Sequence, residues 1–289
     1  MSPEFDALIH QHYEFYKGMG FIASAVLVIS LQILVPNRLE IQDLLKSWKV
    51  NLPLAFINLF LLFFICGACV SALAVSMQES KEGLLEYLGF SYGAQIVLTI
   101  FVLDLVAYGW HRANHNWPVL WRFHSVHHSD SQLDATTAVR FHAGELLISL
   151  GIRLVVVLVF GFPVSGLIIF EIIYGFFNLL VHSDLYLSQR LNRFLSLGFV
   201  TPSLHLLHHS VNKKEHHRNY GTIFSFWDRM FCSYLEHIPG STIRVGLVET
   251  GKDLPLKSLL LLPFVFRSGI KKSTTKSVYN HKKFSEKVE

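Results

Sequence analysis

The sequence predicts an all-α integral membrane bundle: about five apolar runs, the last two a hairpin, under a cytoplasmic histidine-rich helical cap that holds a dimetal site. Three observations predict it. Hydrophobic residues make up 51% of the 289 and charged residues only 16%, whereas a soluble domain carries about 25% charged residues. Apolar runs of membrane-crossing length recur along the first two thirds of the chain. Thirteen of the sixteen histidines fall between residues 111 and 237, so one region concentrates a single kind of ligand.

The elements follow in order. Residues 1–17 are polar and somewhat acidic, without the basic start and small-residue cleavage site of a signal peptide. Gly18 to Val35 forms a first span, ended by Pro36-Asn37. Residues 37–50 connect it to a second span, Leu52 to Met77, where Gly67 and Ser71 could admit a close helix neighbour. Cys66 and Cys69 have C-x-x-C spacing, but inside an apolar run they read as small buried hydrophobes. After acidic residues 78–92, Gly93 to Trp110 is the third span and runs into the first histidines. Leu146–Phe160 and Val164–Val181, separated by Gly161-Phe162-Pro163, form the hairpin. Arg153 interrupts it; an intramembrane charge is either functional or snorkels to the surface. Leu254 to Phe266 is too short to span and suits the interface. The tail from Arg267 holds seven Lys or Arg against two Glu and is expected to be disordered, docking on anionic headgroups rather than nucleic acid.

Lysines and arginines orient the bundle. The connectors that alternate with the poor ones hold three, three and sixteen of the twenty-five, which places the histidine stretches and the C-terminus in the cytoplasm. The expected membrane is a bacterial inner membrane or the endoplasmic reticulum. Three regions result: residues 1–92 as N-terminal membrane helices, 93–240 as the histidine-bearing domain, and 241–289 as interfacial segment and tail.

The histidines carry the chemistry. His111 and His115 are spaced i, i+4 at the end of the third span, and His124-x-x-His127-His128 follows. His182 closes the fifth span, and His205-x-x-His208-His209 repeats the triplet. Positions i, i+3 and i+4 share a helix face, so each triplet is expected to aim three imidazoles at one place. Nine histidines exceed what one ion can use, since a tetrahedral site takes four ligands; two metals are implied. Imidazole suits iron, zinc, copper or nickel alike, so spacing does not choose the metal. Asp104 and Tyr108, seven and three residues before His111, share its face and are expected to back a metal-bound imidazole. Trp227-Asp228-Arg229 reads as a structural pin after the last triplet.

At these residues the chain resembles the fatty acid hydroxylase / sterol desaturase superfamily. The resemblance runs from about Asp104 to Tyr234. It rests on D-x-x-x-Y-x-x-H-R-x-x-H (Asp104 to His115), H-S-V-H-H-S-D (His124 to Asp130) and T-T-A-V-R-F-H-A-G-E (Thr136 to Glu145). N-x-x-x-H (Asn178 to His182), T-P-S-L-H-L-L-H-H (Thr201 to His209), N-Y-G (Asn219 to Gly221) and W-D-R-M-F (Trp227 to Phe231) complete it. The closing run is most similar to bacterial members and the alkylglycerol monooxygenase branch. The resemblance implies two iron ions, dioxygen as co-substrate and a lipid C–H bond as target. Its ligands would be His111, His115, His124, His127, His128, His182, His205, His208 and His209. Members commonly use a tenth; fatty acid 2-hydroxylases have a histidine where this chain has Tyr186, which leaves His216 as first candidate, then His142 and His217. Many relatives have proline where this chain has Ala143. Electrons are expected from a separate b-type cytochrome or a ferredoxin with its reductase.

Hydroxylation of a fatty acyl, alkyl-glycerol or sterol-like substrate is the expected reaction, and desaturation on the same scaffold the alternative. A non-catalytic membrane metal-binding protein is the reading of a different class, disfavoured by the complete histidine boxes. A di-zinc hydrolase is disfavoured by the lack of carboxylates at ligand spacing.

Overall fold

The computed structural model describes residues 12–66, 69–236, 243–248 and 254–265, with the Cys66 side chain left aside. Among the described residues every regular element is a helix. In order they form α1 (Tyr13–Leu34), α2 (Ile41–Cys66), α3 (Cys69–Ser80), the short α4 (Leu84–Tyr87), α5 (Tyr92–Asn116) and α6 (Pro118–His128). A 3-10 turn (Ala135–Val139) leads to α7 (Ala143–Phe160) and α8 (Val164–His182). Short helices complete the chain: α9 (Gln189–Leu195), α10 (Pro202–His208), α11 (Lys213–His216), α12 (Phe226–Met230) and α13 (Leu256–Val265). Five of these, α1, α2, α5, α7 and α8, are long and apolar enough to cross a membrane. Their outward faces present Phe56, Phe63, Phe64 and Val155 uncovered, an apolar exposure that lipid accommodates and water does not.

The hairpin of α7 and α8 is as predicted. Gly161 caps α7 in the left-handed region at φ 64°, and Pro163 precedes the first turn of α8. A side chain on Gly161 would collide with the Glu82 carbonyl, so the loop before α4 seats on the hairpin turn. Arg153 does not stand alone: its Nη1 lies 2.8 Å from Glu171 Oε1 across the hairpin, and Lys17 of α1 approaches the other oxygen at 3.9 Å. A charge in the span is thereby paired within the bundle.

The second span departs from expectation. The apolar run Leu52–Met77 divides between α2 and α3, and α2 begins at Ile41, inside the expected connector. Tertiary hydrogen bonds explain the early start. Ser47 and Asn51, both buried, reach Asp130 at 3.4 and 2.9 Å, and Asn51 also donates to Thr136 at 3.0 Å. The polar first turns of α2 thus belong to the end of the bundle where the histidines gather. Ser71 is buried in α3, while Gly67, Cys66's side chain and the basic tail lie outside what is described; Cys69 is exposed. Helix α13 buries Leu259 and Leu262 against Leu54 and Val126, so it packs on α2 and α6 and leaves Leu261, Phe264 and Val265 exposed.

At that same end, Asp184, just past α8, accepts from the backbone N–H groups of Asn37, Arg38 and Leu39 (3.2, 2.6 and 2.7 Å) and from Arg38 Nε at 2.9 Å. Gln32 Oε1 accepts from the N–H groups of Ala135 and Asp184. These bonds fix the ends of α1, α2 and α8 around the 3-10 turn.

Candidate metal centre

Four elements deliver the nine histidines to one end of the bundle. The end of α5 carries His111 and His115, α6 carries His124, His127 and His128, the end of α8 carries His182, and α10 with its C-cap carries His205, His208 and His209. They sort into two groups. His111, His115, His124, His128 and His208 offer ligand atoms within 4.8 Å of one another, and so do His127, His182, His205 and His209. The expectation that each H-x-x-H-H triplet points at a single place is therefore corrected. His124 and His128 enter the first group while His127 enters the second; His205 and His209 enter the second while His208 enters the first. The helix explains the split. At about 100° per residue, i and i+4 lie about 40° apart, whereas i+3 and i+4 diverge by about 100°.

Four of the nine rings are held by the atom that faces away from the cluster. His111 Nδ1 lies 2.8 Å from the Tyr220 carbonyl, His208 Nδ1 2.7 Å from that of Arg218 and His182 Nδ1 2.6 Å from that of Asn178. His124 Nδ1 faces a carboxylate oxygen, Glu145 Oε1, at 2.8 Å. Since a carbonyl or carboxylate only accepts, each of these Nδ1 atoms donates, which leaves Nε2 with its lone pair turned inward. In the second group the Nε2 atoms crowd together, His127 to His182 at 3.0 Å, His182 to His205 at 2.9 Å and His205 to His209 at 3.2 Å. Phe141 stacks flat on His127, with ring centroids 4.6 Å apart.

Burial keeps these imidazoles neutral. It pushes His127, His128, His205, His208 and His209 well below the ordinary histidine value, neighbouring imidazoles adding to the effect, and it pushes His124 down to about 3. Neutral imidazole is the form that ligates. Nε2 of His111, His115, His124, His128 and His208 is buried with no hydrogen-bond partner in every case. One such orphan costs about 1–3 kcal/mol, and five facing one another are explained by a cation in their midst. The residues therefore fit metal ions, in a donor set that is all nitrogen.

The remaining candidates separate. His216 is buried beside the first group, its ring 4.6 Å from His115 and 4.7 Å from His128, and burial lowers it to about 3. His217 is exposed and lies farther out, 5.9 Å from His115. His142 belongs to neither group: its Nδ1 caps α7 by accepting from Gly144 N at 3.0 Å, and Nε2 meets the Leu260 carbonyl at 3.2 Å. Asp104 is also corrected. Rather than backing an imidazole, it accepts from the N–H groups of Ile223 and Phe224 (both 3.2 Å) and from Trp227 Nε1 (2.9 Å). Tyr108 turns its hydroxyl to Ser233 Oγ at 2.8 Å and to Arg112, and packs on Tyr220. Both residues hold the loop whose Tyr220 carbonyl orients His111. Asp228 does the same from the other side, accepting from the N–H groups of Tyr220 and Gly221 at 2.8 and 2.9 Å.

The carboxylate that does back a histidine is Glu145, which sequence reasoning left without a role. It closes the stretch Thr136 to Glu145, one residue before the apolar run that begins at Leu146; the structure starts α7 at Ala143 and draws the glutamate into the helix, where an ionisable group requires a partner.

Known proteins share this region. Residues 96–233 match the fatty acid hydroxylase family model. The chain is 30% identical over 158 residues to an ornithine lipid hydroxylase of Rhizobium tropici, covering 55% of this chain and 46% of that protein. Similarity to alkylglycerol monooxygenases is 30% over 139 residues in Caenorhabditis elegans (48% of this chain, 26% of that one) and 31% over 157 residues in Danio rerio (53% and 34%). The chain thus spans less than half the length of the curated relatives it matches. No solved structure matches it. Through residues 96–233, which hold all nine gathered histidines, the chain belongs to the fatty acid hydroxylase superfamily.

Proposed function

We propose that this protein is an oxidoreductase that uses dioxygen and two iron ions to hydroxylate a C–H bond of a membrane lipid, of fatty acyl, alkyl-glycerol or sterol-like type. The observation that carries the reading is the pair of buried all-histidine groups set side by side where membrane helices α5 and α8 end. The names of the relatives, an ornithine lipid hydroxylase and alkylglycerol monooxygenases, support the reaction class. His111, His115, His124, His128 and His208 would hold one ion and His127, His182, His205 and His209 the other, with His216 as the first candidate for a tenth ligand. Bound there, the iron pair would supply dioxygen binding and the electron-transfer chemistry that breaks an unactivated C–H bond.

The chain's own part is placement and exclusion. Neutral imidazoles present lone pairs without competing protons, and Phe141 and the burial of the rings keep bulk water away. A lipid chain would enter from the bilayer at the end where α5 and α8 finish. The excess of Lys and Arg in the connectors at the histidine end supports a cytoplasmic position for that end, where a separate b-type cytochrome, or a ferredoxin with its reductase, would deliver electrons.

Lipid mass spectrometry of cells with and without the gene tests the reading. A lipid heavier by one oxygen in the presence of the gene is expected; one lighter by two hydrogens would replace hydroxylation by desaturation. Purified protein that carries zinc and no iron would overturn the oxygenase reading altogether.

A further inference from the structure

The two histidine groups are not supported alike. Three of the outward-facing ring nitrogens donate to backbone carbonyls, which are neutral: His111 to Tyr220, His208 to Arg218 and His182 to Asn178. His124 alone among the described histidines of the two groups faces a carboxylate, Glu145 Oε1 at 2.8 Å. Asn114 Nδ2 donates to the same oxygen at 3.0 Å and so fixes the carboxylate from a second helix. Glu145 is 4% exposed, its other oxygen is buried with no hydrogen-bond partner, and among the described residues its only ion-pair partner is His124.

A neutral imidazole does not compensate a buried carboxylate, and removing a charge from water without a partner is strongly unfavourable. A cation on the far nitrogen of His124 supplies the partner, with the ring as bridge. The first turn of α7 adds a smaller contribution, because a helix N-terminus favours negative charge.

We propose that Glu145 is a positioning residue that makes the two metal positions unequal, so that the five-histidine group binds its ion more tightly than it would with neutral support. This inference rests on the two-ion reading above. Second-layer carboxylates of this kind alter metal affinity by about 10–100-fold. Only the five-histidine position is touched, since no member of the four-histidine group contacts Glu145 through its ring nitrogens.

The test is a titration of metal-free, full-length protein in detergent micelles with Co(II), whose visible absorption reports each occupied nitrogen site, alongside thermal unfolding. Wild type is expected to take two ions. Glu145→Gln keeps the shape and an acceptor oxygen but removes the charge; it should weaken one of the two binding steps by about 10–100-fold and leave the other unchanged. Glu145→Ala should lose that step, leaving one ion per chain. Glu171→Gln, which alters a buried carboxylate paired with Arg153 and touching neither histidine group, should lower thermal stability with both steps unchanged. Two unchanged steps in Glu145→Gln, or both steps weakened together, would overturn the role of Glu145 while leaving the two-ion reading intact. A wild type that takes fewer than two ions would overturn that reading, and this inference with it.

Discussion

Replacing Asp104 with alanine separates two roles for a carboxylate inside a membrane helix. By its sequence position it would back His111; by its contacts it clamps the loop after the last histidine box. The side chain is 1% exposed and holds three donors, the N–H groups of Ile223 and Phe224 at 3.2 Å each and Trp227 Nε1 at 2.9 Å. Each buried donor left unpaired costs about 1–3 kcal/mol. The two longer bonds belong at the low end, so the loss comes to about 3–5 kcal/mol. At about 2 °C per kcal/mol for a chain of this size, the unfolding temperature should fall by about 6–10 °C. Trp227→Phe removes one donor only and should cost about 1–2 kcal/mol. The assay is thermal unfolding of purified protein in micelles, paired with a metal count well below the transition. A clamp predicts a lower transition and an undiminished metal count. Metal loss with an unchanged transition would refute the reasoning and return Asp104 to the back of an imidazole.

His128→Ala and His208→Ala should each abolish lipid oxidation and reduce bound metal, while His281→Ala, in the tail beyond the described residues, should do neither; full activity in either of the first two would overturn the ligand set. The metal-free protein should be acid-labile. The histidines of α6 and α10 are held below their unfolded value, so the unfolded state binds more protons, and their stabilising contribution, complete above about pH 6.5, is lost as pH falls toward about 3 for His124. Each such group removes up to about 1.4 kcal/mol per pH unit, and an unfolding temperature that stays flat between about pH 7 and pH 5 would contradict it. Arg153→Leu leaves Glu171, which is 8% exposed at the side chain, with Lys17 at 3.9 Å as its remaining cation, and should destabilise by up to about 3 kcal/mol. The double variant Arg153→Leu/Glu171→Leu should recover most of that loss; equal unfolding temperatures for the single and the double variant would mean that the pair is not coupled.

Much of the fold was legible because lipid imposes a one-dimensional rule, and apolar length is readable residue by residue. That is why the hairpin Leu146–Val181 was placed within a few residues of α7 and α8. The rule failed at Ile41. There, Ser47 and Asn51 extend α2 for the sake of Asp130 and Thr136, partners some eighty positions away that no local window contains. The same limit hid the supports of the site. Tyr220, Arg218 and Asn178 hold imidazoles by their carbonyls, and every residue type has a carbonyl, so sequence carries no mark of it. Asp104 did carry a mark, since a carboxylate in a span requires a partner, but the mark does not say which partner; Glu145 lay one residue before the apolar run and carried none. Seven positions before a histidine looked like the better place; the fold gave that carboxylate to a tryptophan and two amides, and gave the imidazole to Glu145.

The H-x-x-H-H boxes gain a sharper meaning from how they divide. Had each triplet served one ion, either box could be lost and one metal position would survive. Instead His127 leaves its neighbours for the second group and His208 leaves its own for the first, so each box contributes to both groups. The geometry behind this is the angular step of the helix: i and i+4 stay together, and the intervening i+3 swings to the other side by about 100°. Two short helices, α6 and α10, with complementary divisions, therefore each reach both histidine groups, and α5 and α8 complete them. Any shift of α10 along α6 would disturb both positions at once. That explains why so much structure, from Thr201 capping α10 to Asn219 tying the Leu204 carbonyl at 3.0 Å, is spent on holding one seven-residue helix in place.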